Sequence, residues 1–461
     1  MYRFYKVYII WHLFTMTFLC SQAIPHTFLE HKLLRKNFLV NQNWSDNTIF
    51  GLRRYKHDHE ISDSLKVKSR FGTYISRDQK MVYAHGHFTY KKNFHGYLYP
   101  RIVNNPDNFI GYSGVPRDIV RAGFSSGETD NSGITYENKW MIMQFGRGRQ
   151  SWGAGDDIQL AISEKSNSYD YGMLDLDFKK LRVRYFHGYL ESDSISINRY
   201  ITGRGIEWNN NKNLLVGISE VIIYSGKNRP IDFSYFNPMS THLEIELNDR
   251  QNKQGIDSGN GVWQFSLDYL PMKKVRLSCN YLYDEFILDK EQKNNGKGTG
   301  RAYSSKVSYY PIINNHSYFL IFFSIISVGT NTFKHEEGKN NFVQRNNPLG
   351  WQIGNDAREI KLGLDLMHRE RFVANLEIGV RNLGEKNIIN GLYDPYIDYL
   401  DEPFPSGEIE NLNFIMSKIQ WWWKPNVSFF SKFDYNNSNK TGDNFKLNIG
   451  IDMFYKIDKY L

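Results

Sequence analysis

The chain contains very little cysteine and no long apolar segment, and each shortage excludes a class of protein. With only Cys20 and Cys279 among 461 residues, it is not a disulfide-stapled fold, and no cysteine–histidine spacing predicts a zinc site. The apolar run at residues 318–328 has about eleven residues, whereas a spanning helix needs roughly 20. The mean hydropathy of −0.55 also argues against a helical membrane protein. Lys and Arg exceed Asp and Glu by only 8 (57 against 49) and are spread along the chain, so no nucleic-acid partner is expected.

Aromatic residues and alternating polar and apolar positions are, by contrast, abundant. There are 31 Tyr, 31 Phe and 10 Trp against only 13 Pro, a balance that favours β-structure. In residues 173–190 (MLDLDFKKLRVRYFHGYL), a turn at the two lysines would pair Asp175 with Arg184 and Asp177 with Arg182. The opposite face of this hairpin would be apolar and aromatic. A soluble sheet packed on a core could show the same faces, but their repetition to the end of the chain favours a transmembrane β-barrel with a polar lumen.

Eighteen candidate strands repeat this alternation. They lie at 65–76, 80–90, 93–103, 135–145, 158–164, 171–178, 181–190, 200–208, 213–224, 262–270, 274–285, 301–310, 316–328, 357–367, 371–383, 411–423, 427–436 and 444–456. One further hairpin, with its turn at 271–273, would pair Asp268 with Arg276. Short connections alternate with long ones, as in outer-membrane barrels, whose short turns face the periplasm and whose long loops face outward. The sequence therefore predicts an all-β fold, an outer-membrane antiparallel β-barrel of about 18 strands over residues 65–461.

The first 64 residues lack this pattern. Arg3, Lys6, the apolar run that follows them and the small residues at 21–23 predict a signal peptide over residues 1–23. Export would bring the protein to the outer membrane of a Gram-negative cell envelope, where outer-membrane lipids and the barrel-assembly machinery become expected partners. Residues 24–64 predict a short N-terminal periplasmic helical segment, with a helix at about 27–40 and a polar linker after it. A disordered linker is the alternative.

Several short motifs occur in an order that resembles the capsule assembly Wzi family, from about residue 71 to the C-terminus. They are 145–155 (FGRGRQSWGAG), 185–190 (YFHGYL), 218–224 (ISEVIIY), 235–238 (YFNP), 348–350 (PLG) and 354–356 (GND). The chain departs from the family at Gly148, where an acidic residue is usual, and at Ala154, where proline is usual. The resemblance implies an outer-membrane β-barrel lectin that binds capsular or exopolysaccharide and helps to assemble or anchor it at the cell surface.

The long loops predicted to face outward contain the first set of candidate ligand-binding residues. Aromatic rings stack on sugar faces, and acids and amides hydrogen-bond to hydroxyl groups, so the loop residues of these types were selected as candidates. They are Tyr235, Asn237, Trp351, Asp356, Tyr393 and Tyr396. The same residue types also occur in any exposed loop.

The glycine-rich motif at 145–155 supplies a second set, Arg147, Arg149 and Trp152. The two guanidinium groups could bind carboxylates of an acidic glycan, and the indole could stack on a sugar. A structural role is favoured, because the strand count places this motif in a turn at the periplasmic rim, where Trp152 would join the interfacial aromatic girdle.

Catalysis, a metal site and a cofactor are not expected. Asp257-Ser258-Gly259 could suggest a barrel hydrolase, but no histidine lies at a matching spacing in the adjoining strands. His85, His87 and His95 belong to neighbouring strands, yet no carboxylate or fourth ligand accompanies them. Two functions stay open: a polysaccharide-binding protein, or a passive porin-like channel for sugars or ions. A lumen filled by paired charges would favour the first.

Overall fold

The computed structural model describes residues 48–50, 65–91, 93–192, 196–252, 259–284, 290–314, 316–335, 338–369, 371–389, 400 and 403–460. The predicted signal peptide and nearly all of the predicted segment 24–64 lie outside these ranges. The N-terminal helix, and the division of the chain at residues 23 and 64, therefore stay predictions.

The described chain is almost entirely antiparallel β-structure. Its strands are β1 (Lys66–Ser76), β2 (Lys80–Tyr90), β3 (Phe94–Val103), β4 (Ser126–Glu137), β5 (Met141–Gly148), β6 (Tyr169–Asp177), β7 (Leu181–Leu190), β8 (Ile197–Asn209), β9 (Leu214–Lys227), β10 (Asn260–Met272), β11 (Val275–Tyr283), β12 (Arg301–Ile313), β13 (Ser317–Val328), β14 (Val343–Gln344), β15 (Asn347–Pro348), β16 (Ala357–His368), β17 (Phe372–Leu383), β18 (Glu410–Lys424), β19 (Val427–Ser438) and β20 (Gly442–Tyr460). Strands β14 and β15 form a separate small hairpin. The other eighteen each pair with their neighbours, and β20 pairs with β1. The predicted 18-stranded antiparallel barrel is confirmed.

In the described ranges, the helices are short and lie in the connections. They are the 3₁₀ turns Pro106–Asn108 and Phe233–Phe236 and the α-helices α1 (His242–Leu247) and α2 (Lys290–Asn294). None of the helices in the described ranges is long and apolar enough to cross a membrane.

The alternation of side chains places apolar residues on the outer face of the barrel and polar residues in its lumen. In β16, Ile360 and Leu362 are exposed on the outside, while Glu359, Lys361 and Asp365 are buried on the inside. This pattern favours a barrel, because a strand with one apolar and one polar face needs an apolar environment on one side and a polar environment on the other. In a membrane barrel, lipid and the lumen supply these two environments.

Cross-strand charge pairs fix the register, as predicted for β6 and β7. Asp175 pairs with Arg184 and Asp177 pairs with Arg182, with N–O distances of 2.7 and 2.6 Å. The register predicted between β10 and β11 is wrong by two residues, since Asp268 lies opposite Ser278. Strand β10 runs on to Met272 through a bulge, and Arg276 reaches the same carboxylate diagonally.

The two ends of the barrel differ. The turn end has the short connections, such as 178–180 and 273–274, while the loop end has the long ones. The long connections of the loop end are 104–125, 149–168, 228–259, 284–300, 329–356 and 384–409.

Two of the strand predictions were wrong, and their errors cancel in the count. The predicted strand 135–145 is interrupted by a turn at 138–140, which separates β4 from β5. The predicted strand 158–164 belongs to the connection 149–168. Strand β4 was missed because its first half, SGETDNSG, has little β-propensity. The segment 158–164 has the apolar residues typical of a strand, but these residues pack in the apolar cluster inside the barrel.

Candidate functional site

The glycine-rich connection 149–168 folds into the lumen, and we call it the luminal plug. Trp152 is fully buried there, with its ring centroid 4.8 Å from that of Phe50 and 5.1 Å from that of Phe186. Its indole N–H donates to the side-chain oxygen of Gln150 at 3.2 Å. The predicted place of Trp152 in a girdle at the periplasmic rim is therefore wrong, because the extra turn between β4 and β5 moves this connection to the loop end.

The luminal plug reaches the inner wall far from the strands that it connects. The Asn280 side chain on β11 accepts a hydrogen bond from the Ala154 amide at 2.7 Å and donates to the Ala154 carbonyl at 3.0 Å. On β12, Ser304 donates to the carbonyl of Ile158 at 2.7 Å and Lys306 to that of Asp156 at 3.1 Å. These strands are six and seven positions around the barrel from β5. The plug thus crosses the lumen.

Two other segments pack on the plug. Residues 48–50 lie against the inner wall of β8 and β9, where the amide of Ile49 donates to Glu207 at 2.8 Å and its carbonyl accepts from Gly153 at 2.7 Å. A Cβ at Gly205 would lie 2.5 Å from the Phe50 ring, so this glycine makes the close approach possible. From the loop end, the amide of Trp351 donates to the carbonyl of Leu160 at 3.1 Å.

The charges beneath the plug are paired. Arg184 binds Asp175 at 2.7 Å and donates to the carbonyl of Phe50. Arg182 lies between Asp177 at 2.6 Å and Glu207 at 3.3 Å. Because buried charges are costly unless they are compensated, this network fits a filled lumen better than a wet one.

The two arginines of the glycine-rich motif point to opposite sides of the wall. Arg149 faces inward, where its Nε donates to the carbonyl of Ser166 at 2.5 Å and an Nη donates to that of Gly111. Burial lowers the pKa of the Arg149 guanidinium to about 10, which leaves it charged at neutral pH. Arg149 therefore fixes the plug and is not placed to meet a ligand.

Arg147 faces outward and borders a groove at the loop end, which we call the rim groove. The groove has a volume of about 410 Å³ and is lined by Ser132, Gly133, Gly146, Arg147, Asp170, Tyr171, His187, Gly188, Tyr189 and Ile231. The Arg147 guanidinium lies 3.2 Å from the carboxylate of Asp170 and 3.8 Å from that of Glu128.

A single cross-strand row supplies the polar side chains of the rim groove. Ser132 pairs with Arg147, Arg147 with Asp170, and Asp170 with Tyr189. A hydroxyl, a guanidinium, a carboxylate and an exposed phenol ring can hydrogen-bond to and stack on a sugar. Sequence reasoning missed three of the four, although extending the predicted β6–β7 register by a few residues places Asp170 opposite Tyr189.

Tyr235 and Asn237, which were predicted to be in an outer loop, lie on the outer wall of the barrel. Tyr235 is fully buried. Its ring stacks on that of Tyr224 with centroids 4.7 Å apart, and its hydroxyl lies 3.0 Å from Nδ1 of His242. The Asn237 carbonyl accepts a hydrogen bond from Arg204 at 3.0 Å. Both residues hold a loop against the strands.

Trp351 and Asp356 also act within the protein. Trp351 is buried in the same apolar cluster as Trp152. The fully buried Asp356 carboxylate accepts hydrogen bonds from Thr330 at 2.7 Å, from the Ser406 amide at 2.9 Å and from the Lys386 amide at 3.0 Å. It therefore ties two long connections together. Tyr393 and Tyr396 lie outside the described residues.

Two other features were considered as sites. The rings of His87 and His95 stack with centroids 5.9 Å apart, but no group of metal-ligating side chains is found among the described residues. Asp257 and Ser258 lie outside the described ranges. A larger concavity of about 560 Å³, lined by Phe71, Val82 and other apolar residues, lies on the outer wall of β1–β3 and β20.

Comparison with known proteins gives a likeness in structure only. No protein-family model matches the chain, and no curated protein matches its sequence. The solved structure of Wzi from Escherichia coli, described as an outer-membrane protein involved in group 1 capsule assembly and a carbohydrate-binding β-barrel, is similar with a TM-score of 0.57 and 12% identity, over 94% of this chain and 89% of that one.

Two other solved structures superpose less well. The outer-membrane protein OprD from Pseudomonas aeruginosa has a TM-score of 0.44 and 9% identity, over 87% of this chain and 96% of that one. OccAB1 from Acinetobacter baumannii has a TM-score of 0.45 and 8% identity, over 87% and 99%. The resemblance to the capsule assembly Wzi family that the sequence motifs predict is thus confirmed in three dimensions, and what it establishes for this chain is the fold.

Proposed function

We propose that this protein is an outer-membrane barrel that binds capsular or exopolysaccharide at its loop end and helps to assemble or anchor it at the cell surface. The observation that supports this proposal is the luminal plug. A segment that crosses the lumen and hydrogen-bonds to β11 and β12 obstructs passage, whereas it does not impede binding at the outer rim. No catalytic chemistry is required.

The rim groove is the proposed glycan contact. It lies at the end of the barrel that would face outward, and its arginine would bind a carboxylate of an acidic sugar while Tyr189 stacks on the ring. Of the predicted candidate residues that the structure describes, Arg147 is the one that borders this groove. Binding by many copies of the protein to one long polymer would make individually weak contacts effective.

The decisive cellular measurement is the division of surface polysaccharide between cell-bound and released fractions, with the gene intact and deleted. Under the proposal, total polysaccharide stays constant and moves into the medium on deletion. An unchanged division would contradict anchoring.

Arg147→Gln tests the groove in the purified protein. The loss of one charge-assisted interaction of about 1.5–3 kcal/mol should weaken the binding of an acidic polysaccharide about tenfold or more. Arg358→Gln is the matched control, because Arg358 is an exposed arginine on the outer face of β16, also near the loop end. Equal affinities of the two variants would remove the groove from the proposal.

A passive channel is the second candidate, and the wall opposite the plug favours it. Inward positions of β1 and β18–β20 carry the cations Lys68, Arg70, Lys418, Lys432, Lys446 and Lys456, with acids such as Asp434 and Asp452 among them. An anion-conducting lumen would need such a wall. Single-channel conductance of the reconstituted protein distinguishes the two functions, since a steady open current would support the channel.

A further inference from the structure

The outer wall about midway along β8 and β9 is polar, although it belongs to the face that meets lipid elsewhere. Arg204 and Glu220 share the outward alternation of Ile206 and Ile218, with which they are in register on β8 and β9. The guanidinium and the carboxylate lie 3.4 Å apart, and both residues are buried. Arg204 is five residues from the turn end of β8, about 16 Å along the strand. The ion pair therefore lies well away from the loop end of the barrel.

Residues 228–252, the described part of the connection 228–259, cover this polar area, and we call them the outer clip. Its Asn237 carbonyl accepts from Arg204 at 3.0 Å, and its His242 amide donates to Glu220 at 3.0 Å. The Phe236 ring lies with its centroid 4.8 Å from that of His187 on β7. The outer clip therefore turns back from the loop end and descends along the outside of the barrel.

The outer clip has its own internal supports. Asp232 accepts hydrogen bonds from the amides of Ser234 and Asn252 at 3.0 and 2.9 Å and binds Arg229 at 3.0 Å. The Thr241 hydroxyl caps the start of α1 by accepting from the Glu244 amide at 3.2 Å. The inner surface of the clip is thus fixed by polar contacts.

The outer clip also exposes large apolar side chains, which lie in sequence among exposed polar ones such as the paired Glu244 and Arg250. Phe233, Met239 and Leu247 are 77%, 75% and 71% exposed, and Ile231, Phe236 and Leu243 are partly exposed beside them. Single exposed apolar residues are ordinary, but a set of six on one long connection marks an interaction surface.

We propose that the outer clip is embedded in the membrane leaflet at the loop end, with Phe233, Met239 and Leu247 among the acyl chains. Two observations identify lipid as the occupant of this surface. The clip rests on Arg204 and Glu220, which are the next outward positions along β8 and β9 from Ile206 and Ile218 of the apolar outer wall. The clip also screens the Arg204–Glu220 pair, which would otherwise face hydrocarbon, where charged groups are costly. The proposal depends on the barrel spanning a membrane and is independent of polysaccharide binding.

Spin labelling tests this placement in the full-length protein reconstituted into phospholipid bilayers. In a Cys20→Ser, Cys279→Ser background, a nitroxide is attached at Phe233→Cys or Leu247→Cys. Collision rates are measured with oxygen, which concentrates in hydrocarbon, and with a water-soluble nickel chelate. Leu362→Cys, on the exposed outer face of β16, is the lipid reference, and Glu408→Cys, exposed in the connection 384–409, is the water reference.

The two clip positions should resemble Leu362, with high oxygen and low nickel accessibility. Nickel accessibility equal to that at Glu408 would place the clip in water and overturn the proposal. Low accessibility to both reagents would overturn it as well, because it would mean that a second copy or another protein covers the patch. Since these side chains are exposed, the substitutions should leave the barrel folded, which heat-modifiable migration in electrophoresis would verify.

Discussion

The pair of hydrogen bonds between Asn280 and Ala154 is the contact whose loss should most directly release the luminal plug. The amide of Asn280 binds both backbone groups of Ala154, at 2.7 and 3.0 Å, inside the barrel. Asn280→Ala would remove both partners at once. It would leave a buried N–H and a buried C=O on the plug, unless water enters the space left by the side chain.

The size of the effect follows from these two groups. An unsatisfied buried backbone group costs about 1–3 kcal/mol, so the docked plug should lose roughly 2–6 kcal/mol, and less if water replaces the amide. At the lower limit of about 2 kcal/mol, the equilibrium constant for local opening of the plug rises roughly thirtyfold. Hydrogen exchange of peptides from 149–168, followed by mass spectrometry, measures that change directly.

A matched control separates plug release from general damage. Asn382→Ala removes a hydrogen bond between two side-chain amides on β17 and β18, where Asn382 donates to Asn411 at 2.6 Å in an exposed position. Exchange in 149–168 should be unchanged in that variant. If Asn280→Ala also leaves exchange in the plug unchanged, the reasoning is refuted. If exchange rises equally throughout the barrel, the asparagine stabilises β11 rather than the plug.

Two further substitutions test other contacts of the filled lumen and the loop end. Gly205→Ala should displace Phe50, because the new Cβ would lie 2.5 Å from its ring. Overpacking of this kind costs about 1–3 kcal/mol, so the midpoint of heat-modifiable electrophoresis should fall, whereas Gly86→Ala, with nothing within 4 Å of the new atom, should leave it in place. Asp356→Ala should loosen 329–356 and 384–409, since each hydrogen bond to a charged group contributes about 1.5–3 kcal/mol. Limited proteolysis should then cut those connections faster, and unchanged cleavage would contradict the role assigned to Asp356.

The barrel could be predicted from sequence because its determinants are local. Side chains alternate with period two, and charge pairs such as Asp175–Arg184 fix the register of a hairpin without knowledge of the rest of the chain. The same locality explains the failures. Strand β4 has too few apolar residues to be recognised alone, and 158–164 is apolar because it packs inside the lumen, which no local pattern reveals.

The candidate ligand residues were harder to predict for a related reason. Tyr235, Trp351 and Asp356 were selected by residue type, yet each is buried against a segment that is distant along the chain or across a loop. Residue type alone does not distinguish an aromatic ring that packs from one that binds. Arg147 was also selected by residue type, and its predicted place in a turn at the periplasmic rim is wrong, because it lies in β5 near the loop end, where its neighbours follow from strand register.

Strands β8 and β9 nevertheless contain sequence signals for both segments that cover them. On the inward positions, Gly205 and Gly217 interrupt the side chains where Phe50 and Ile49 pack, since a Cβ at Gly217 would lie 2.2 Å from the Ile49 side chain. On the outward positions, Arg204 interrupts a row that should be apolar if it faced lipid. A glycine at an inward position and a charged residue at an outward position both depart from the alternation of polar and apolar side chains that builds the barrel. Each marks a place where the wall contacts another part of the chain, so the interruptions in the pattern locate residues 48–50 and the outer clip, as the pattern itself locates the strands.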